Sequence, residues 1–136
     1  MNEPPCALDT SVALRLLTRD PAPLFKAAAA FLSEQVDQGT PLAVCDLVVA
    51  EAYFALQHHY GFPKAEALAA LRDFAGHPGI EMSPITREIL TLPNLATAKP
   101  GFVDRLIHGA SHAAGQTLVS FEKATRKLPA TLVLSG

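Results

Sequence analysis

A chain of 136 residues, 49% hydrophobic and 18% charged, has the size and composition of one folded globular domain rather than a disordered tail. Its formal net charge of −2 and pI near 6.2 exclude nucleic-acid binding through bulk charge, so a polyanion would have to meet a local basic patch. Met1-Asn2-Glu3-Pro4-Pro5 does not read as a signal peptide, and no apolar run reaches the roughly 18 residues of a membrane span.

Cys6 and Cys45 stand in apolar, strand-like contexts without a C-x-x-C spacing. They are expected to be buried free thiols in a reducing compartment, the cytoplasm.

The chain alternates short apolar runs with longer helical ones. Ala7-Leu8 predicts a first strand, and a first helix follows over residues 12–18. Asp20-Pro21-Ala22-Pro23 breaks that helix before an Ala-rich one over 24–38, ended by Gly39. Residues 41–45 predict a second strand, and Asp46 is expected to cap a helix over 47–59 that is apolar almost all round. A further helix covers 64–75, and a short third strand covers 80–82. Residues 86–98 read as helix interrupted at Pro93. A helix over 102–114 precedes a fourth strand at 117–121 and a fifth at 131–134. Strands separated by helices imply right-handed crossovers, so the expected fold is a single three-layer α/β/α domain with a mainly parallel, five-stranded sheet.

Ligands of open α/β sheets bind beyond the carboxyl ends of the strands. Asp9 follows the first strand directly, though it, Thr10 or Ser11 can also serve only as a helix cap. Glu51 is the only charged residue between Leu47 and Leu56. On a buried helix it demands a partner such as Arg15, or else marks a metal ion or general base. Asp104 sits near the start of the helix over 102–114, where the dipole alone favours an acid. Glu122 directly follows the fourth strand. A parallel sheet would bring all four to one edge, where like charges repel unless a cation neutralises them. An all-oxygen set of this kind suits Mg²⁺ or Mn²⁺.

These residues carry a family resemblance. Leu8-Asp9-Thr10-Ser11 with Leu14-Arg15 following, Glu51 within Val-Val-Ala-Glu-Ala, Phe102-Val103-Asp104 before Leu106-Ile107, and Ser120-Phe121-Glu122 resemble, in order and spacing, the acidic motifs of PIN-domain ribonucleases. Length and pattern look most like the VapC-type toxins of toxin–antitoxin pairs. The resemblance implies a central Asp9 strand with the second strand beside it. It further implies a metal-dependent endoribonuclease whose catalytic, metal-holding acids are Asp9, Glu51, Asp104 and Glu122. Ser11 and Ser120 would orient ligands or water. Glu122 falls where the family usually has Asp, Ser11 where it usually has Asn, and Gly101 where a second acid often precedes the Phe.

Basic residues near the expected site include Arg15, Lys99, Arg105, Lys123, Arg126 and Lys127. The run after Glu122 reads either as phosphate positioning on RNA or as a solvated loop. Asp104, His108 and His112, spaced i, i+4, i+8, diverge over about 12 Å of helix rise, so no more than two could share a metal ion. The toxin resemblance implies an antitoxin protein as partner, and a mean hydropathy of +0.22 is consistent with a homodimer. The alternatives are a general RNA-processing nuclease outside such a pair, and a PIN-like binding module with a degenerate site.

Overall fold

The computed structural model describes residues 5–136, and the expectation for the extreme N-terminus falls mostly outside them. The chain divides into two compact units, residues 1–83 and 84–136.

In the first unit, α1 (Thr10–Thr18) follows Asp9, and α2 (Ala22–Asp37) follows a turn through Pro21. Strand β1 (Leu42–Ala43) leads into α3 (Asp46–His58), then α4 (Lys64–Ala75) and strand β2 (Ile80–Glu81). Helix α2 begins two residues earlier than its expected start because Pro23 sits in its first turn, where a missing N–H costs nothing.

Strands β1 and β2 pair in parallel, Leu42 opposite Ile80. On the other side of β1, Ala7 makes a single parallel bridge to Ala43, with Leu8 N–H donating to the Ala43 carbonyl at 2.9 Å. The first and second segments are therefore neighbours, as the resemblance implies. Leu42, Val44, Val49, Leu56, Leu71 and Ile80, all nearly inaccessible, form the core around this sheet.

Three expectations are corrected here. Helix α3 is apolar in composition but is not buried all round. Val48, Val49, Ala52, Tyr53 and Leu56 face inward, while Leu47 is 71% exposed and Phe54 46%. Glu51 shares that outer face at helical spacing and is exposed. Cys45 is a free thiol but an exposed one, since it occupies the N-cap position of α3; Cys6 is half-buried. The cap position therefore falls on Cys45, and Asp46 is the first residue of the helix.

In the second unit, α5 (Pro84–Leu90) and α6 (Phe102–Ala113) pack together. Helix α5 starts on Pro84 and stops three residues before Pro93, so the helix expected over 86–98 is shorter and shifted. Proline disfavours helix in the residue before it, and turns follow as far as 97. Strand β3 (Leu118–Ser120) pairs in parallel with β4 (Thr131–Val133), and a 3₁₀ helix (Lys123–Lys127) connects them where a loop is one expectation. Among the described residues, the hydrogen-bonded sheets are the two parallel pairs β1–β2 and β3–β4, one in each unit, and a sheet of five strands is not shown.

Candidate active site

The backbone turns from the Ala7–Leu8 segment into α1 at Asp9, whose extended conformation makes it the N-cap. Its Oδ1 accepts from the Ser11 hydroxyl at 2.6 Å and from the Val12 N–H at 3.2 Å. The Ser11 hydroxyl, foremost, and then the Val12 N–H hold the Asp9 carboxyl below its ordinary value, because both bonds favour the charged form. Asp9 is thus a helix cap and an exposed, firmly ionised carboxylate at once.

The next residue makes the connection that local pattern does not reveal. Thr10 donates its hydroxyl to Oε1 of Glu51 at 2.7 Å, linking the first turn of α1 to the second turn of α3. Glu51 is therefore tied to the residue that follows Asp9, at the carboxyl-terminal edge of parallel strands. Arg15 is not its partner. Arg15 Nη1 donates to the Asp20 carbonyl at 2.9 Å and to the Tyr60 hydroxyl at 3.1 Å. A cleft of about 700 Å³ opens beside Asp9, with Ser11 and Arg15 at its polar end and Val12, Leu24, Ala28 and Phe31 among its apolar walls.

In the second unit, Asp104 lies exposed in the first turn of α6, where the helix dipole favours an acid. Arg105 Nε donates to the Pro100 carbonyl at 2.8 Å. Glu122 caps the 3₁₀ helix: its Oε1 accepts from the Ala124 N–H at 3.3 Å, and its carbonyl accepts from the Thr125 hydroxyl at 2.6 Å. Ser120 Oγ accepts from the Glu122 N–H at 2.9 Å, so this serine holds the backbone of Glu122. Lys123, Arg126 and Lys127 are exposed on the same 3₁₀ helix.

His108 is buried, and its Nε2 donates to the Pro129 carbonyl at 2.7 Å, which accounts for it structurally. Its ring stacks on His112, with centroids 5.4 Å apart.

Among the described residues, no three Asp, Glu, His or Cys side chains gather into a group able to hold a metal ion. Mg²⁺ is commonly held by only one or two carboxylates, with water completing its octahedron. The exposed, all-oxygen pair Asp9 and Glu51 fits that chemistry. In both, the protein's side-chain hydroxyl ends on one carboxylate oxygen, Oδ1 of Asp9 and Oε1 of Glu51. A carboxylate keeps further lone-pair positions for an ion or its water.

Thr10 is the functional candidate that the sequence reading missed. Its signal was present as a small hydroxyl between two residues already singled out, but its partner lies 41 residues away.

No helix among the described residues is long and apolar enough to cross a membrane. The sequence matches the PIN domain over residues 6–130. No curated protein and no solved structure matches it. PIN domains are generally nucleases, hydrolases that bind RNA, and typically use divalent metal ions. With the match running through the motifs of both units, this chain belongs to the PIN domain family.

Proposed function

We propose that the chain is a Mg²⁺- or Mn²⁺-dependent endoribonuclease and the toxin of a toxin–antitoxin pair, acting in the cytoplasm as a single PIN domain. The observation that carries the nuclease reading is the Asp9–Ser11 and Thr10–Glu51 arrangement, two carboxylates each receiving a hydrogen bond from hydroxyls adjacent in sequence, at a strand edge. Asp9, Glu51, Asp104 and Glu122 are its acids, on the order and spacing of the family's motifs.

The chemistry supplied when a divalent ion is bound is Lewis-acid polarisation of a phosphodiester and acidification of water. The chain's own residues do the rest. Ser11 keeps Asp9 charged and oriented, so that it serves as an acceptor at neutral pH. Thr10 does the same for the direction of Glu51. Arg15 at the cleft, and Arg105, Lys123, Arg126 and Lys127 in the second unit, attract and position RNA phosphates. Ser120 steadies Glu122 through its backbone.

The toxin reading adds an antitoxin protein as partner and a homodimer as the working form. Exposed Leu47 and Phe54 on α3 support an association surface. A second reading is favoured by one observation, the use of Glu122 as a 3₁₀ cap: a PIN-like module that binds RNA through a degenerate site.

RNA cleavage with added Mg²⁺ or Mn²⁺, by wild type and Asp9→Asn, separates the two readings. Asn caps a helix about as well as Asp, so the variant keeps its fold. Its cleavage is expected to fall by more than the roughly 10–100-fold that loss of an outer-shell partner costs. Wild-type RNA binding without cleavage favours the module. Cleavage that is equal in the variant, or independent of metal, overturns the nuclease assignment.

A further inference from the structure

Glu51 reaches solvent from the outer face of α3, flanked along that face by Leu47, Phe54 and His58. None of these offers a short hydroxyl or amide to hold a carboxylate. A glutamate carries three rotatable side-chain bonds, and on an exposed helix face nothing in its own helix selects one direction. Among the described residues, the single hydrogen bond the carboxylate receives comes from another element. Thr10 Oγ1 is 2.7 Å from Glu51 Oε1, a well-formed hydroxyl hydrogen bond.

Thr10 suits this task because two features fix it. It is the first residue of α1, immediately after the cap Asp9, so its backbone is set by the cap's own hydrogen bonds. It is also β-branched, and in a helix its side chain has few orientations to choose from. The hydroxyl has one proton to give, and it goes to Oε1. That leaves Glu51 Oε2 as the oxygen to present to an ion.

We infer that Thr10 is the positioning residue of the proposed centre: its hydroxyl fixes the Glu51 carboxylate beside Asp9 and so sets the affinity for a divalent cation. This rests on the reading of Glu51 as a metal-holding acid. It gives adjacent residues of one motif separate tasks, with Asp9 binding and Thr10 aiming the acid of the second motif.

The test is Mn²⁺ binding by isothermal calorimetry on the intact protein, with thermal melting recorded for each variant. The set is wild type, Thr10→Val, Thr10→Ala, Thr10→Ser, Glu51→Gln and the double variant Thr10→Val with Glu51→Gln. Thr10→Val keeps shape and removes the hydroxyl. It is expected to weaken Mn²⁺ binding by about 10–100-fold, the usual cost of losing an outer-shell partner, with the melting temperature held. Thr10→Ser is expected to restore binding. In the Glu51→Gln background, Thr10→Val is expected to add nothing, because the two then act through one carboxylate.

If Thr10→Val fails to fold, Thr10→Ala against Thr10→Ser reads the same hydroxyl. Binding that is unchanged in both Thr10→Val and Thr10→Ala, while Glu51→Gln loses it, overturns the role of Thr10 alone. Equal loss in Thr10→Ser and Thr10→Val also overturns it. Unchanged binding in Glu51→Gln, or none in wild type, overturns the reading of Glu51 and the inference with it.

Discussion

Ser11 gives its hydroxyl proton to Oδ1 of Asp9 at 2.6 Å, across only two residues of chain. The bond closes inside the first turn of α1, so it forms as soon as the helix does. It is the largest cause holding the Asp9 carboxyl below its ordinary value of 3.8, ahead of the Val12 N–H. A depressed carboxylate contributes stability that is complete above its unfolded value and is lost as pH falls through the folded one.

Ser11→Ala is therefore expected to raise the Asp9 titration toward 3.8, and acid loss of the Asp9 contribution begins at higher pH. At pH 7 the carboxyl stays ionised in both proteins, so the difference is confined to acid conditions. Carbon-detected NMR titration of the Asp9 carboxyl in wild type and variant reads the shift directly. Superimposable curves would show that the Val12 N–H suffices.

Glu122 separates the nuclease from the degenerate module most sharply. Its side chain already has a structural task, since Oε1 accepts from the Ala124 N–H at 3.3 Å at the start of the 3₁₀ helix. Glu122→Gln keeps an acceptor oxygen for that cap and removes only the charge. The expected outcome is an unchanged melting temperature with cleavage reduced more than about tenfold, because losing a metal-holding acid costs more than losing an outer-shell partner. Steady-state cleavage across a Mn²⁺ titration makes the measurement. Wild-type rates at every metal concentration would assign Glu122 to the cap alone.

What could be read from the sequence, and what could not, divides by distance along the chain. The alternation of strands and helices is local, and so is the position of Asp9 between an apolar strand and a helix start. The face of α3 that packs inward is not local. Leu47 and Phe54 are as apolar as Leu56, and only the neighbouring elements decide that Leu56 is buried and the other two are exposed. Glu51 follows its face, so the buried carboxylate inferred from composition is an exposed one, relieved of any desolvation cost. Cys45 is similar: its neighbours are apolar, but it sits where the chain turns into α3. The bond from Thr10 to Glu51 spans 41 residues and leaves no periodic trace. Pro23 differs for another reason: it belongs to the expected break at residues 20–23, yet it stands in the first turn of α2, where proline is compatible with the helix.

Gly109 tests the packing that carries Asp104. It is a buried glycine on α6, and a Cβ added there would lie 2.6 Å from Ile85 Cγ2 on α5. Two effects oppose each other. Alanine in a helix interior is favoured over glycine by about 1 kcal/mol. Overpacking a well-packed contact costs about 1–3 kcal/mol. The atom in the way decides the balance: Cγ2 is bonded directly to the Ile85 Cβ, so although Ile85 is 36% exposed in the first turn of α5, this methyl has less freedom to give way than the end of a long flexible chain. Either Ile85 leaves its rotamer or α5 and α6 move apart. Gly109→Ala is expected to lower stability by about 1 kcal/mol net, measured by urea denaturation with an unchanged slope. Gly109→Ala combined with Ile85→Ala removes the obstructing methyl, and the Gly109→Ala step is then expected to stabilise, because only the helix preference remains. A stabilising Gly109→Ala in the wild-type background would mean that Ile85 yields at little cost.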